Sequence, residues 1–253
     1  VVAVDLDITI KNATTKKRSV AWRPRFRVID TADVAPDTGV AAKVAAYQRQ
    51  LSKELDVPLG KTVIALDSRK AIVRTSESAM GNLIADAMRR EMKTDIALMN
   101  GGGIRGDKIY PAGSTITRRD VLTELPFSNK LYVVEMSGAD FRKSLENGLL
   151  YAGKPNGRYP HLSGATVLAR GGAIPGQRIM KILVDGQPVD PRKRYTIATN
   201  DFVLAGKEGY EVFAAAKKIV GETDAPLLSN AVMTYVLEHG TGKSQVEGRV
   251  RIE

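Results

Sequence analysis

An α+β fold is what this sequence predicts, on three observations. Stretches with apolar residues at helical spacing, such as "ESAMGNLIADAMRREMK" at 77–93, are interleaved with short strand-like runs. Three strand-like runs then follow one another, "GATVLAR" (164–170), "IMKILVDG" (179–186) and "RYTIATND" (194–201), with turn sequences between them. A doubly wound parallel sheet would need a crossover helix at each step, so a mixed sheet with packed helices is expected instead. Hydrophobic residues make up 43% of 253 residues, enough for a substantial core and against wholesale disorder.

Taken in order, residues 1–31 alternate apolar and polar side chains. "VVAVDLDITI" and "SVAWRPRFRVID" read as two strands of a hairpin joined through "KNATTKK". Turn formers follow at Asp33, Pro36 and Asp37, with Gly39 nearby. In "TGVAAKVAAYQRQLSKELD", Val40, Val44, Tyr47, Leu51 and Leu55 form one stripe of a long helix. "KTVIALD" (61–67) reads as a strand, and 77–93 as a helix with Met80, Leu83, Ile84, Ala87 and Met88 on one face. "DIALMN" is a short buried strand. "TRRDVLTELPF" opens on Thr117 with Asp120 three residues on and stops at Pro126, a capped short helix. "NKLYVVEMSG" is a strand. "SGADFRKSLENGLLY" repeats the capped start at Ser137 and points Phe141, Leu145 and Leu149 inward. After the three consecutive strands, "EGYEVFAAAKKI" and "APLLSNAVMTYVLEHG" read as helices and "VEGRVRIE" as a last strand. No internal repeat or low-complexity segment is visible.

Composition narrows the function. The chain has no cysteine, which excludes disulfides, thiolate metal sites and cysteine nucleophiles, and suits a periplasmic or a cytoplasmic protein equally. No run of about 18 apolar residues exists, so no membrane span is expected. The chain lacks an initiator Met and opens already strand-like, which reads as an excised fragment or processed product. Net charge is +10, dispersed in short groups such as "RREMK" (89–93) and "RKR" (192–194). With eight Tyr, five Phe and one Trp scattered along the chain, no basic–aromatic platform for a nucleic-acid polymer is apparent. A solvated cationic surface or a small anionic ligand fits better. His161 and His239 are the only histidines, and each reads as structural. The carboxylates of "VDLD", Val4–Asp7, alternate on an ordinary strand with no histidine beside them, so no metal site is expected there.

"LMNGGGIRGD" (98–107) matches G-x-G-x-x-G at Gly101, Gly103 and Gly106. A dinucleotide fingerprint must open a helix, because the pyrophosphate rests on the helix N-terminus. Here "GDKIYPAGSTIT" follows, and Pro111 and Gly113 rule a helix out. "GKT" (60–62) and "GKS" (242–244) resemble phosphate-loop tails, but Leu55 and Leu237 stand where the first glycine is required. What remains is a strand end with an amide (Asn100), three glycines that let backbone N–H groups approach closely, and the planar fork of Arg105. A small-anion or nucleotide site and a plain tight turn both fit these residues.

Further motifs give the sequence a likeness. "SESAMGNLIADAMR", "DIALMNGGGIR", "LTELPFSNKLYVVEMSGADFRKSLENGL", "GRYPHLSG" and "IATNDFVLAGKEGY" together resemble the C-terminal domain of the 5′-nucleotidase family, from about residue 57 to the end. The resemblance implies residues 1–36 as the closing hairpin of a metallophosphatase domain, 37–56 as a linker helix, and 57–253 as the substrate-binding domain. It implies that Arg74 and Arg105 meet the substrate phosphate, that Asn100 reaches the base, that Phe127 and Phe202 sandwich the base, and that Gly102 of the glycine loop is among the substrate-binding residues. A guanidinium fork pairs bidentately with phosphate, which suits the arginines. Glu208 stands in "GKEG" where the family has a ribose-binding Asp, and Lys207 replaces a glycine, so sugar recognition is expected to differ in geometry.

By the same resemblance, the partner is a nucleotide or nucleoside. Two divalent metal ions are expected in a preceding metallophosphatase domain, with no cofactor in this chain. The setting is periplasmic or extracellular. The chain alone is expected to be inactive, having no visible nucleophile–base pair. Two alternatives from other classes are a protein-docking domain of a thiosulfate-ester hydrolase relative and a non-catalytic small-ligand module.

Overall fold

A computed structural model describes residues 1–11, 19–32, 34–221, 223–242 and 244–253. Most of the hairpin connection, Asp33 of the turn signal and Lys243 of the second phosphate-loop lookalike lie outside the described residues. The chain divides into two units, Val1–Ser52 and Lys53–Glu253.

In the first unit, β1 (Val2–Lys11) and β2 (Ser19–Val28) form an antiparallel ribbon. The register sets Val2 against Val28, Val4 against Phe26 and Ile8 against Trp22, so the period-two pattern gathers the apolar side chains on one face. Asp7 and Arg25 pair on the other face at 3.1 Å. Helix α1 (Thr38–Leu55) follows, its first turn capped by the Asp37 carboxylate accepting from Val40 N at 2.8 Å.

The second unit opens with β3 (Pro58–Lys61) and β4 (Leu66–Asp67). The sequence suggests one strand through 61–67; instead it breaks between them. Thr62 Oγ1 donates to the Pro111 carbonyl and Val63 N to Thr241 Oγ1, contacts that pull this backbone off a ladder. The short helix α2 (Lys70–Val73), not anticipated, leads into α3 (Ala79–Met92), whose N-cap Ser78 accepts from Gly81 N. Strand β5 (Ile96–Asn100) ends in a single 3-10 turn at Gly101–Gly103, with no helix after it, as expected. β6 (Ile109–Tyr110), β7 (Thr115–Thr117) and α4 (Arg118–Glu124) come next. α4 starts in a full capping box between Thr117 and Asp120. β8 (Leu131–Ser137) and α5 (Gly138–Gly148) follow, then β9 (Pro160–Ser163), which the sequence reading does not identify. β10 (Ala165–Ala169), β11 (Ile179–Val184), β12 (Gln187–Pro188) and β13 (Arg194–Asn200) complete the strand-rich stretch.

The expected helix over 208–219 is a second correction. Only a 3-10 turn at Lys207–Gly209 and the short α7 (Glu211–Ala214) are helical, after α6 (Asp201–Leu204), and Lys217–Lys218 become β14. β14 pairs with Glu135 and Val134 of β8, an open sheet edge that overrides local helix propensity. α8 (Leu228–His239) and β15 (Val250–Ile252) close the chain.

The main sheet runs β14-β8-β13-β5-β9, antiparallel except for the parallel β13–β5 pair. A second sheet, β12-β11-β10-β15, is antiparallel except for β10–β15. This is the mixed α+β architecture expected. Alternation places Ile96 and Leu98 of β5 in one core with Phe141, Leu145 and the second sheet. It places Ala97 and Met99 in the other with α3 and α8. Burial on both faces fixes the register of β5, and so fixes where its last residue, Asn100, emerges.

Candidate functional site

A cleft of about 370 Å³ opens where β5 and β13 end side by side. All seven residues singled out in the sequence line it: Arg74, Asn100, Gly102, Arg105, Phe127, Phe202 and Glu208. Gly103, Asn129 and Asn200 complete the lining.

Two buried asparagines form its floor. Asn200 is the N-cap of α6, accepting from Val203 N at 2.9 Å, which leaves its Nδ2 to donate to Asn100 Oδ1 at 3.0 Å. Asn100 Nδ2 in turn donates to Glu208 Oε2 at 3.2 Å. Both ends of the Asn100 amide are therefore engaged, and its orientation is set by Asn200.

Glu208 sits in a loop built around left-handed backbone, with φ +75° at Gly206, +54° at Glu208 and +80° at Gly209. Glycine meets that demand at two of the three positions, and Glu208 carries the strain at the third. The Glu208 carbonyl accepts from Asn147 Nδ2 at 3.0 Å, which pins the loop. The carboxylate lies over two glycines. A Cβ on Gly102 would come within 3.1 Å of Glu208 Oε1, and one on Gly157 would collide with it. Gly102 N donates to the Gly157 carbonyl at 2.7 Å, so the two glycine backbones are laced together beneath the acid. The triplet therefore acts through close approach, since none of its glycines has positive φ.

The arginines come from neighbouring loops. Arg74 follows α2, and its Nε is buried with no hydrogen-bond partner among the described residues. His161 Nε2 lies 2.9 Å from the Val73 carbonyl, just before Arg74, so the nitrogen carries the proton there. Burial pushes the His161 pKa down to about 4, leaving it neutral and structural. Arg105 is exposed and stacks its guanidinium 5.3 Å from the Phe127 ring centroid. Phe127 and Phe202 are 54% and 40% exposed, unusual for residues whose alternative role is core packing.

Sequence reading passes over Gly157, Asn129 and Asn200 as site residues. Gly157 and Asn200 both stand within or beside the quoted motifs, but only the fold shows that they touch Glu208 and Asn100. It also overlooks Glu124, which is 2% exposed behind the Arg105 loop. Burial raises the Glu124 pKa despite opposing hydrogen bonds from Ser68, Tyr110 and Gly106.

Among the described residues, no three His, Cys, Asp or Glu side chains gather as a metal site. No helix among them is long and apolar enough to cross a membrane.

Comparison with known proteins gives a consistent result. Residues 58–215 match the family described as 5′-nucleotidase, C-terminal domain. The chain is 33% identical over 218 residues to the trifunctional nucleotide phosphoesterase protein YfkN of Bacillus subtilis, covering 81% of this chain and 14% of that protein. It is 30% identical over 196 residues to protein UshA of Escherichia coli, covering 77% and 34% respectively. The crystal structure of the 5′-nucleotidase precursor from Thermus thermophilus superposes with a TM-score of 0.75 at 28% identity, covering 99% of this chain and 50% of that one. The chain thus spans half or less of the length of these relatives.

Proposed function

This chain belongs to the 5′-nucleotidase C-terminal domain family, and we propose that it is the substrate-binding part of a metal-dependent nucleotide phosphohydrolase. In this reading the base stacks between Phe127 and Phe202, the phosphate meets Arg74 and Arg105, and Glu208 accepts from sugar hydroxyls. The observation that carries it is the convergence on one cleft of two exposed phenylalanines, two arginines and a carboxylate. Aromatic faces suit a base, guanidinium forks suit a phosphate, and a carboxylate suits a diol. Such a site holds and orients a nucleotide, which is a large part of what lowers a barrier between bound groups.

The proposal gives this chain the task of holding the nucleotide and no catalytic step. The two divalent ions belong to the proposed metallophosphatase domain of the whole protein, as does hydrolysis. A periplasmic or extracellular setting is part of the same proposal.

Isothermal titration calorimetry tests it. Adenosine and AMP are expected to bind the 253-residue chain weakly, at roughly millimolar to high-micromolar Kd. Phe202→Ala should abolish measurable binding. A chain that ignores every nucleoside at millimolar concentration sinks the base sandwich.

A further inference from the structure

We propose that Glu124 is a positioning residue for Arg105, holding the arginine's loop by its backbone and tying that loop to the segment that leads into Arg74. The inference rests on the reading of Arg105 as a phosphate ligand.

Glu124 is the last residue of α4 and is buried. Its main-chain carbonyl accepts from Arg105 N at 2.9 Å. Its Oε2 accepts from Gly106 N at 3.0 Å. The two backbone donors on either side of the Arg105 side chain are thus held by one residue. Oε1 accepts from Ser68 Oγ and Tyr110 OH, each at 2.8 Å. Ser68 lies just before α2, and Asp107 accepts from Lys70 N at 2.8 Å in the first turn of that helix. One carboxylate therefore joins the 105–108 loop to the segment that ends in Arg74.

Packing alone does not call for an acid here. A buried carboxylate is costly unless its oxygens are satisfied, and an apolar side chain would fill a helix end at less cost. The nearby cation, Lys108, is engaged with Asp120 at 2.8 Å. What the carboxylate supplies is an acceptor for three donors. The loop is shaped to receive it, because a Cβ at Gly106 would collide with the Glu124 carboxylate. Positioning matters for Arg105 in particular, since its side chain is exposed and, among the described residues, held only by a long 3.4 Å contact to the Gly102 carbonyl and by Phe127. Its aim depends on its backbone.

The test compares adenosine with AMP by calorimetry on the whole chain, reading the phosphate's share of affinity as the ratio of the two. Wild type should prefer AMP by about tenfold, and Arg105→Ala should remove most of that preference. Glu124→Ala should leave adenosine affinity within about twofold and cut the AMP preference at least about threefold. Glu124→Gln should keep the preference. Its amide oxygen can face Gly106 N, while its NH2 donates to the two hydroxyls, which rotate to accept. Tyr110→Phe, which spares the Oε2 bond, should keep it too. If Glu124→Ala does not fold, Glu124→Asp decides, because it retains the charge but withdraws the oxygens from Gly106. A folded Glu124→Ala or Glu124→Asp with the wild-type ratio overturns the inference. So does equal weakening of both ligands, which would mark a merely structural role. A wild type that binds adenosine but shows no preference for AMP refutes the arginine reading itself, before any Glu124 variant is made, and the inference falls with it.

Discussion

Substituting alanine for Gly157 should remove sugar recognition while barely touching stability. The added Cβ would collide with Glu208 Oε1 and come within 2.9 Å of its Cδ. Gly157 does not have positive φ, so its backbone accepts alanine without strain. Restricting the unfolded chain then stabilises by about 0.4–1 kcal/mol. Against this stands the Asn100–Glu208 hydrogen bond, which the displaced carboxylate gives up. Glu208 is only half-buried, so water replaces much of what is lost, at a cost of about 1 kcal/mol. The two effects nearly cancel, and the denaturation midpoint should hardly move.

Ligand binding has no such compensation. A hydrogen bond to a charged group contributes about 1.5–3 kcal/mol, and loss of about 2 kcal/mol weakens binding by roughly thirtyfold. The assay is calorimetric titration with adenosine and 2′,3′-dideoxyadenosine. Wild type should prefer the diol, and Gly157→Ala should bind the two alike. The change should also vanish in a Glu208→Ala background, because both substitutions remove the same contact. A Gly157→Ala chain that keeps its preference for adenosine would refute the idea that this glycine makes room for the carboxylate.

Three further outcomes follow from the same structure. Arg249, just before β15, is buried and pairs bidentately with Asp86 of α3 at 2.6 and 3.0 Å, so Arg249→Met should destabilise the chain by about 3–5 kcal/mol in urea denaturation. A loss below about 1 kcal/mol would mean that Ser163 and Ser244, which also bond Asp86, suffice alone. Burial raises the Glu124 pKa above its usual 4.5, so its neutral form favours folding and that contribution is lost as pH climbs through the raised value. Glu124→Gln keeps a neutral group throughout and should gain stability relative to wild type as pH rises above 4.5, read by thermal melts; a difference that is flat with pH counts against a raised value. Phe127→Ala and Phe202→Ala, at exposed positions, should shift stability by under about 0.5 kcal/mol yet cost about 1–3 kcal/mol in adenosine binding; a large drop in melting temperature would return them to the core.

What the sequence displays and what it hides divide by distance along the chain. The caps at Thr117 and Ser137 are written within a few residues and stand in the structure as expected. The helix expected over 208–219 fails for a non-local reason: Lys217 and Lys218 meet an open edge at Glu135 and Val134, and nothing near them in sequence announces it. The site divides in the same way. Its cleft-lining residues sit in contiguous motifs and so are readable, but the parts that fix their geometry are remote. Gly157 makes room for Glu208, and Glu124 is 18 positions from the Gly106 it holds. Asn100 shows the consequence. The family resemblance implies an amide that reaches the base, yet Asn200 and Glu208 occupy both of its ends. In this geometry its first task is to aim the Glu208 carboxylate. Under the proposed function, the discriminating contact then falls on the sugar, and the base is left chiefly to two aromatic faces, which hold any base that stacks.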